Sequence, residues 1–509
     1  MRALVSVSNK EGVVDFVQSL QTLGWEIIAT GGTRKLLESA NIKTINISEV
    51  TDFPEILDGR VKTLHPKVHG GILARRDLPA HMQTLKENKI ETIDLVCVNL
   101  YPFCQTIEKE GVKFEDAIEN IDIGGPSMVR SAAKNWQDVS IVCDPADYTM
   151  VIDEIRTHGN TRRETRLKLS AKAYTHTAEY DCCIASYMRA QAGLPEKLFL
   201  EYELKQSLRY GENPHQAAQF YAAAQPQPYS LAFARQIQGK ELSYNNIQDA
   251  NAALNILRDF DNPFCVALKH MNPCGAAVAQ TLEQAWQWAY EADKVSIYGG
   301  IVAVNRPLTA EVANRMKPIF LEIIIAPSFQ PEALEILSSK KNLRLLEVDM
   351  TKNQDTIKQY IGVNGGLLVQ QLDTQIETIT PQMCVTQCQP SAEQMADMDF
   401  GWKIVKHVKS NAIAIVKDHR TMGIGAGQTN RVGSAEIALK QAHAASFTSN
   451  LVLASDGFLP FDDTVQLAAN YGVTAIIQPG GSIRDDDAVR KANELGITML
   501  FTGVRHFKH

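Results

Sequence analysis

The first 150 residues alternate short apolar strand patterns with helical ones, and this rhythm limits the possible folds more than any other feature. Ala3-Leu-Val-Ser-Val precedes the amphipathic Gly12-Val-Val-Asp-Phe-Val-Gln-Ser-Leu. Trp25-Glu-Ile-Ile-Ala, a helix near Thr33 to Ala40 and Thr44-Ile-Asn-Ile follow, and Leu95-Val-Cys-Val-Asn-Leu and Val139-Ser-Ile-Val-Cys come later. Strands that read as continuous apolar runs between helices are covered on both faces, so the prediction is an α/β fold with a doubly wound parallel sheet. Such sheets bind ligands where the carboxyl ends of strands meet the following loops. Here those loops are Ser6-Val-Ser-Asn-Lys10, Thr30-Gly-Gly-Thr33 and Asn99-Leu-Tyr-Pro-Phe103.

A helical region runs from about Ala146 to Ala192, and the turn Gly193-Leu-Pro-Glu marks a boundary between domains 1–193 and 199–509. The second region mixes strands such as Cys265-Val-Ala-Leu and Gly300-Ile-Val-Ala-Val with helices such as Asp249 to Phe260 and Ala435 to Ala445. It shows no close repeat, and a split into two strand-rich halves falls near residue 390. At 509 residues the chain exceeds what one hydrophobic core supports.

The net charge of -7 excludes a general nucleic-acid binder, which needs a basic face, but leaves room for an anionic small molecule in a local basic pocket. No run approaches the length of a membrane span, and the N-terminus enters a strand without a signal-peptide core, so the expectation is a cytoplasmic protein. Nine cysteines, an odd number, sit inside apolar runs (Cys97, Cys143, Cys265) or are scattered elsewhere, which suits reduced thiols. Cys384 and Cys388 lack a second ligand pair, and Pro66 between His65 and His69 breaks the helix that a four-residue ligand spacing requires. No metal is expected.

Glycine at a strand-to-helix junction lets backbone N–H groups face a phosphate, and hydroxyls and ammonium groups add donors. Ser6, Ser8, Lys10, Thr30, Gly31, Gly32 and Thr33 supply these groups in two successive loops. Neither loop is a Walker A or GxGxxG motif, but together they favour a monophosphate site. The segment Gly59-Arg-Val-Lys-Thr-Leu-His-Pro-Lys-Val-His-Gly-Gly71 is basic and glycine-rich with little apolar content.

That segment, with Ile121-Asp-Ile-Gly-Gly-Pro126 and Ala132-Ala-Lys-Asn135, resembles the cyclohydrolase half of the AICAR transformylase/IMP cyclohydrolase family. Leu208-Arg-Tyr-Gly-Glu-Asn-Pro-His-Gln216, Leu268-Lys-His-Met-Asn-Pro-Cys-Gly275, Ser296-Ile-Tyr-Gly-Gly300, Ser410-Asn411, Gly423 to Arg431, Ser455 to Phe461 and Gln478 to Arg484 resemble the transformylase half, in order. The likeness spans essentially the whole chain. It implies a methylglyoxal-synthase-like N-terminal domain and a C-terminal domain of two cytidine-deaminase-like halves. It also implies two reactions of purine synthesis. A formyl group passes from 10-formyltetrahydrofolate to AICAR, and the product, FAICAR, closes to IMP with loss of water.

The resemblance assigns cyclisation to Lys62, Tyr101, Asp122 and Lys134, with Arg60, Thr63, Asn99 and Gly124 completing the substrate pocket. Two lysines sharing that pocket would make one a better proton shuttle. For transfer it assigns His270 as base and Lys269 as the stabilising cation. Arg209, Tyr210, Gly299, Asp349, Asn411, Arg431, Phe458 and Arg505 would hold the nucleotide, the arginines through bidentate phosphate contacts. Val432, Asp463, Gly481 and Ser482 would face the folate, and a homodimer would build the transfer site across its interface. Asp293-Lys-Val-Ser-Ile-Tyr298 and Trp136 depart from the family pattern.

These roles fit the chemistry. The amine of the substrate is conjugated and weakly nucleophilic, so transfer needs a base beside it and a cation near the developing oxyanion or the leaving nitrogen. A zinc nucleotide deaminase is the enzymatic alternative, but the H-x-E and P-C-x-x-C signature is absent and Cys274 has no cysteine three residues on. A purine nucleotide sensor is the non-enzymatic alternative, and it would bind without turnover.

Overall fold

Five strands, β1 (Arg2–Ser6), β2 (Glu26–Ala29), β3 (Ile45–Asn46), β4 (Leu95–Val98) and β5 (Ser140–Val142), pair in the order β3-β2-β1-β4-β5. Every pairing is parallel. Ala3, Leu4, Val5 and Leu95 to Val98 are buried, which requires cover on both faces. The helix Val13–Thr22 supplies part of it by turning Val13, Phe16, Val17 and Leu20 inward at helical spacing. The chain leaves β1 towards β2 and β3, then returns to place β4 on the other side. The crevice at this switch point opens between the loops after β1 and β4.

The computed structural model describes residues 1–352 and 357–509, and its contacts divide into two units, Met1–Glu201 and Tyr202–His509. The helix Arg163–Gln191 ends beside Gly193 (φ 63), where the turn was read, but an exposed irregular stretch follows and the division falls at Glu201. Cys104 and Cys183 form a disulfide across the packed helices Phe103–Ile107 and Arg163–Gln191. This corrects the expectation of thiols alone. The partners are 79 residues apart, so only the helix packing brings them together. Pro66 also acts differently from the sequence reading. It opens the helix Pro66–Leu73 at a position where its missing N–H is not needed, and His65 stands outside as the cap.

In the second unit β6 (Glu203–Leu208) and β7 (Ala218–Ala222) form a separate pair. The main sheet has 11 strands: β8 (Arg235–Gln238), β9 (Phe264–Lys269), β10 (Asn272–Val278), β11 (Gly300–Val304), β12 (Leu321–Ala326), β13 (Arg344–Glu347), then β16 (Ile413–Lys417), β17 (Arg420–Gly425), β18 (Leu451–Ser455), β19 (Val473–Gln478) and β20 (Thr498–Phe501). Between these groups β14 (Lys358–Val363) and β15 (Gly366–Gln371) form an exposed hairpin.

The large sheet is one pattern built twice. β9 and β10 form a hairpin, β11 runs antiparallel to β9, and β12 and β13 continue in parallel. β16 and β17, then β18, β19 and β20, repeat those pairings. The two halves meet where β10 pairs with β17. Asn272-Pro-Cys-Gly275 is strand, with an irregular register between Pro273 and Gly275 that accommodates the proline.

Candidate active sites

In the first unit the loop after β1 is closed from the side. Asn99 Oδ1 accepts the amides of Ser8 at 2.6 Å and Asn9 at 2.9 Å. Ser6 Oγ and Thr30 Oγ1 are 2.6 Å apart, and Thr33 Oγ1 accepts from Val7 N at 3.1 Å and Lys10 Nζ at 2.8 Å. Thr30 leads into the helix Gly31–Ser39, which no side chain caps, so its first amides are left for an anion. Gly31 has φ 39, a conformation open to glycine.

Lys62 comes to the same place. A Cβ on Gly31 would stand 3.8 Å from Lys62 Nζ. Burial, and then the nearby charge of Lys62, lower the Lys10 pKa. Lys10 and Lys62 therefore flank the Thr30–Thr33 turn as two cations, a suitable cradle for a phosphate.

Asp122 lies at the start of the helix Gly124–Lys134, where its Oδ1 accepts from Gly125 N at 2.8 Å. Its own amide donates to the Tyr180 hydroxyl at 2.7 Å. Burial raises the Asp122 carboxyl from its ordinary value, opposed by the Gly125 amide and the Lys62 charge. Gly124 packs on Thr63, whose Oγ1 would be 2.8 Å from an added Cβ. Tyr101 is 40% exposed on the loop after β4, open to a ligand.

Two assigned residues have other surroundings. Arg60 makes an exposed pair with Glu119. Lys134 is exposed in the last turn of its helix, about 15 Å along the axis from Gly124. The lysine that lies near Lys62 is thus Lys10. Trp136 is explained by packing, since the Arg163 guanidinium lies 5.2 Å from the centre of its ring. Sequence reasoning missed Tyr180, whose position in a long helix gave no sign that it would meet Asp122.

In the second unit Lys269 ends β9, and its Nζ donates to the carbonyl of Tyr298, beside Gly299, at 2.9 Å. His270 follows in the turn into β10 and is exposed. Asn272 Nδ2 donates to the His270 carbonyl at 3.0 Å, while its Oδ1 accepts from Lys409 N at 2.9 Å. This links the turn to the Ser410-Asn411 segment, whose peptide bond is cis.

Arg431 begins the helix Arg431–Ala444. It is 7% exposed and donates to Asn411 Oδ1 at 2.8 Å, to Ser455 Oγ at 2.9 Å and to Asp456. Its guanidinium orients Asn411 and is held in place by Asp456. Asp456, buried and also bonded to Ser410 Oγ and Ala412 N, was not singled out from sequence. Phe458 and Arg505 remain accessible, and Arg505 lies over the Phe507 ring at 4.6 Å.

Arg209 and Tyr210 stack at 5.2 Å and line a cavity of about 290 Å³ with Lys240, Ser243 and Arg344. Asp349 is exposed, and bonds from Thr351 lower its carboxyl. Val432 is half-buried in the helix Arg431–Ala444. Asp463 begins the helix Asp463–Asn470, and Gly481 and Ser482 lie in a turn where Gly481 N donates to Asp485 at 2.7 Å. Among the described residues no group of three His, Cys, Asp or Glu side chains could hold a metal. No helix there is long and apolar enough to cross a membrane.

Residues 132–441 match the family described as AICARFT/IMPCHase bienzyme, and residues 12–127 match the MGS-like domain. The chain is 56% identical to the bifunctional purine biosynthesis protein PurH of Streptococcus thermophilus over 514 residues, covering 100% of this chain and 99% of the relative. It is also 56% identical to the PurH of Ligilactobacillus salivarius over 511 residues, covering 100% of each. A parallel sheet that brings Lys10 and Lys62 to the Thr30–Thr33 segment and a mixed sheet with a Lys-His turn make a two-unit α/β protein. The chain belongs to the AICARFT/IMPCHase bienzyme family. It is accordingly an AICAR transformylase and an IMP cyclohydrolase of purine synthesis, acting on a nucleotide and a formyl-folate.

Proposed function

We propose that the unit Met1–Glu201 carries the cyclisation and the unit Tyr202–His509 the formyl transfer. In cyclisation the phosphate of FAICAR lies over the Thr30–Thr33 turn between Lys10 and Lys62. The carboxamide nitrogen attacks the formyl carbon, a proton leaves that nitrogen, and water departs on collapse of the addition product. Asp122, with its raised pKa, exchanges protons at the reacting atoms, and Tyr101 lies on the open side. The observation that carries this reading is the convergence of Lys10, Lys62 and the uncapped helix start on one turn. Lys134 is assigned by resemblance alone.

In transfer the donor is 10-formyltetrahydrofolate. His270 removes a proton from the AICAR amine as it attacks the formyl carbon, and Lys269 stabilises the negative charge on the formyl oxygen or the leaving nitrogen. Arg209, Tyr210, Gly299, Asp349, Asn411, Arg431, Phe458 and Arg505 hold the nucleotide, and Arg431 also orients Asn411. Val432, Asp463, Gly481 and Ser482 face the folate. The enzyme works as a cytoplasmic homodimer whose protomers share the transfer site.

Expression of residues 1–201 and 202–509 as separate chains tests this partition. The first fragment should cyclise supplied FAICAR. The second should transfer formyl groups with a specific activity that falls on dilution as protomers separate. A folded first fragment unable to cyclise would refute the partition, and concentration-independent transfer by a proven monomer would refute the shared site.

A further inference from the structure

The turn that carries His270 is strained. Lys269 pairs with Asn272, so only His270 (φ 54) and Met271 (φ 61) connect β9 to β10, and both adopt the left-handed conformation. Two-residue hairpins of this kind ordinarily take Asn-Gly, because side chains with a Cβ resist positive φ. A residue held there persists only when its surroundings over-determine it.

The surroundings are specific. Asp249, in the helix Tyr244–Leu257, places Oδ1 2.7 Å from Met271 N as its acceptor. The opposite side of the turn is held by Asn272 on the His270 carbonyl. The second half of the sheet repeats the arrangement. Asp418 (φ 53) and His419 (φ 55) connect β16 to β17, and Asp397 in the helix Ala392–Val405 accepts their amides at 3.0 and 2.7 Å. A carboxylate that clamps a left-handed hairpin turn is thus a device of the repeated half, and in the first half the clamped turn bears the imidazole.

We propose that Asp249 is a positioning residue for formyl transfer, which fixes the His270–Met271 turn and thereby aims the His270 imidazole at the substrate amine. The proposal rests on His270 being the base. Met271 serves only as the point where the clamp grips the backbone.

The test uses the intact enzyme, with transfer kcat and KM measured beside cyclisation of supplied FAICAR. Asp249→Ala should lower transfer kcat at least tenfold, leave the KM for AICAR within threefold and leave cyclisation unchanged. Asp249→Asn, whose amide oxygen can still accept from Met271 N, should recover to within threefold of the parent. Met271→Gly, which takes positive φ freely, should restore part of the loss when added to Asp249→Ala. Asp397→Ala should leave transfer kcat within threefold. Should Asp249→Ala fail to fold, Asp249→Glu decides, because displacing the acceptor by one methylene should also lower kcat at least tenfold. Parent-like kcat in Asp249→Ala or Asp249→Glu overturns the proposal. So does a tenfold loss in Asp249→Asn. His270→Ala separates the two levels: if it retains transfer, the assignment of the base has failed. If it abolishes transfer while Asp249→Ala does not, only the positioning role has failed.

Discussion

Gly275 packs so closely against Ala289 that a Cβ added to it would lie 2.0 Å from the Ala289 carbonyl oxygen. Gly423 stands in the same relation to Ala438, also at 2.0 Å. Each pair joins the second strand of a hairpin to the helix that follows, so the repeated halves share a requirement for bare backbone. Gly275→Ala should therefore destabilise the second unit by about 1–3 kcal/mol, the usual scale for overpacking. The midpoint of its urea transition should fall while that of the first unit stays in place. An unchanged midpoint would show that the helix moves aside freely.

Removing the transfer base should separate the two reactions. His270→Ala is expected to lower formyl transfer roughly a hundredfold or more, the scale of general-base catalysis, and to leave cyclisation of supplied FAICAR at parent rate. Near-normal transfer would place the base elsewhere.

Lys62 should show the opposite pattern. Because it flanks the Thr30–Thr33 turn of the first unit, Lys62→Ala should let FAICAR accumulate from AICAR and formyl-folate. Chromatography of quenched reactions would reveal the intermediate. Equal loss of both activities would mean that Lys62 acts through folding.

Lys508 gives a pH prediction. Its ammonium donates to the His407 carbonyl at 2.8 Å, and burial pulls its pKa from 10.5 to about 8. Between those values the unfolded chain holds a proton that the folded chain has released, so this group adds stability as pH rises through that window. Lys508→Met should remove that component. Relative to the parent, the variant should be more stable at pH 7 than at pH 10 in urea unfolding. An equal difference at both pH values would contradict the burial argument.

The parallel sheet was legible because Ala3 to Val5 and Leu95 to Val98 are buried on both faces and read as apolar runs. Its ligand loops were legible because Thr30-Gly-Gly-Thr33 combines small residues with hydroxyls. The two halves of the second unit were expected from the strand pattern and the resemblance, but the residues themselves showed no repeat. The halves agree in backbone demands at a few positions, Asp249 with Asp397, Lys269 with Lys417 and Gly275 with Gly423, while the apolar residues between them differ. Nor could sequence reveal that Arg431 turns inward to Asp456, since a guanidinium suits a carboxylate and a phosphate equally well. The pairing of Lys62 with Lys10 depends on two loops meeting over one turn, which only the strand order determines.

The central claim is that the two reactions run at two separate sites and that a free intermediate passes from one to the other. Its most direct test mixes intact His270→Ala and Lys62→Ala proteins with AICAR and 10-formyltetrahydrofolate and follows IMP. Neither protein alone should form IMP at more than a small fraction of the parent rate. The mixture should form it after a lag while FAICAR accumulates and passes to the His270→Ala protein. If each variant keeps its own half-reaction and the mixture still forms no IMP, the two sites are not independent and the account is wrong.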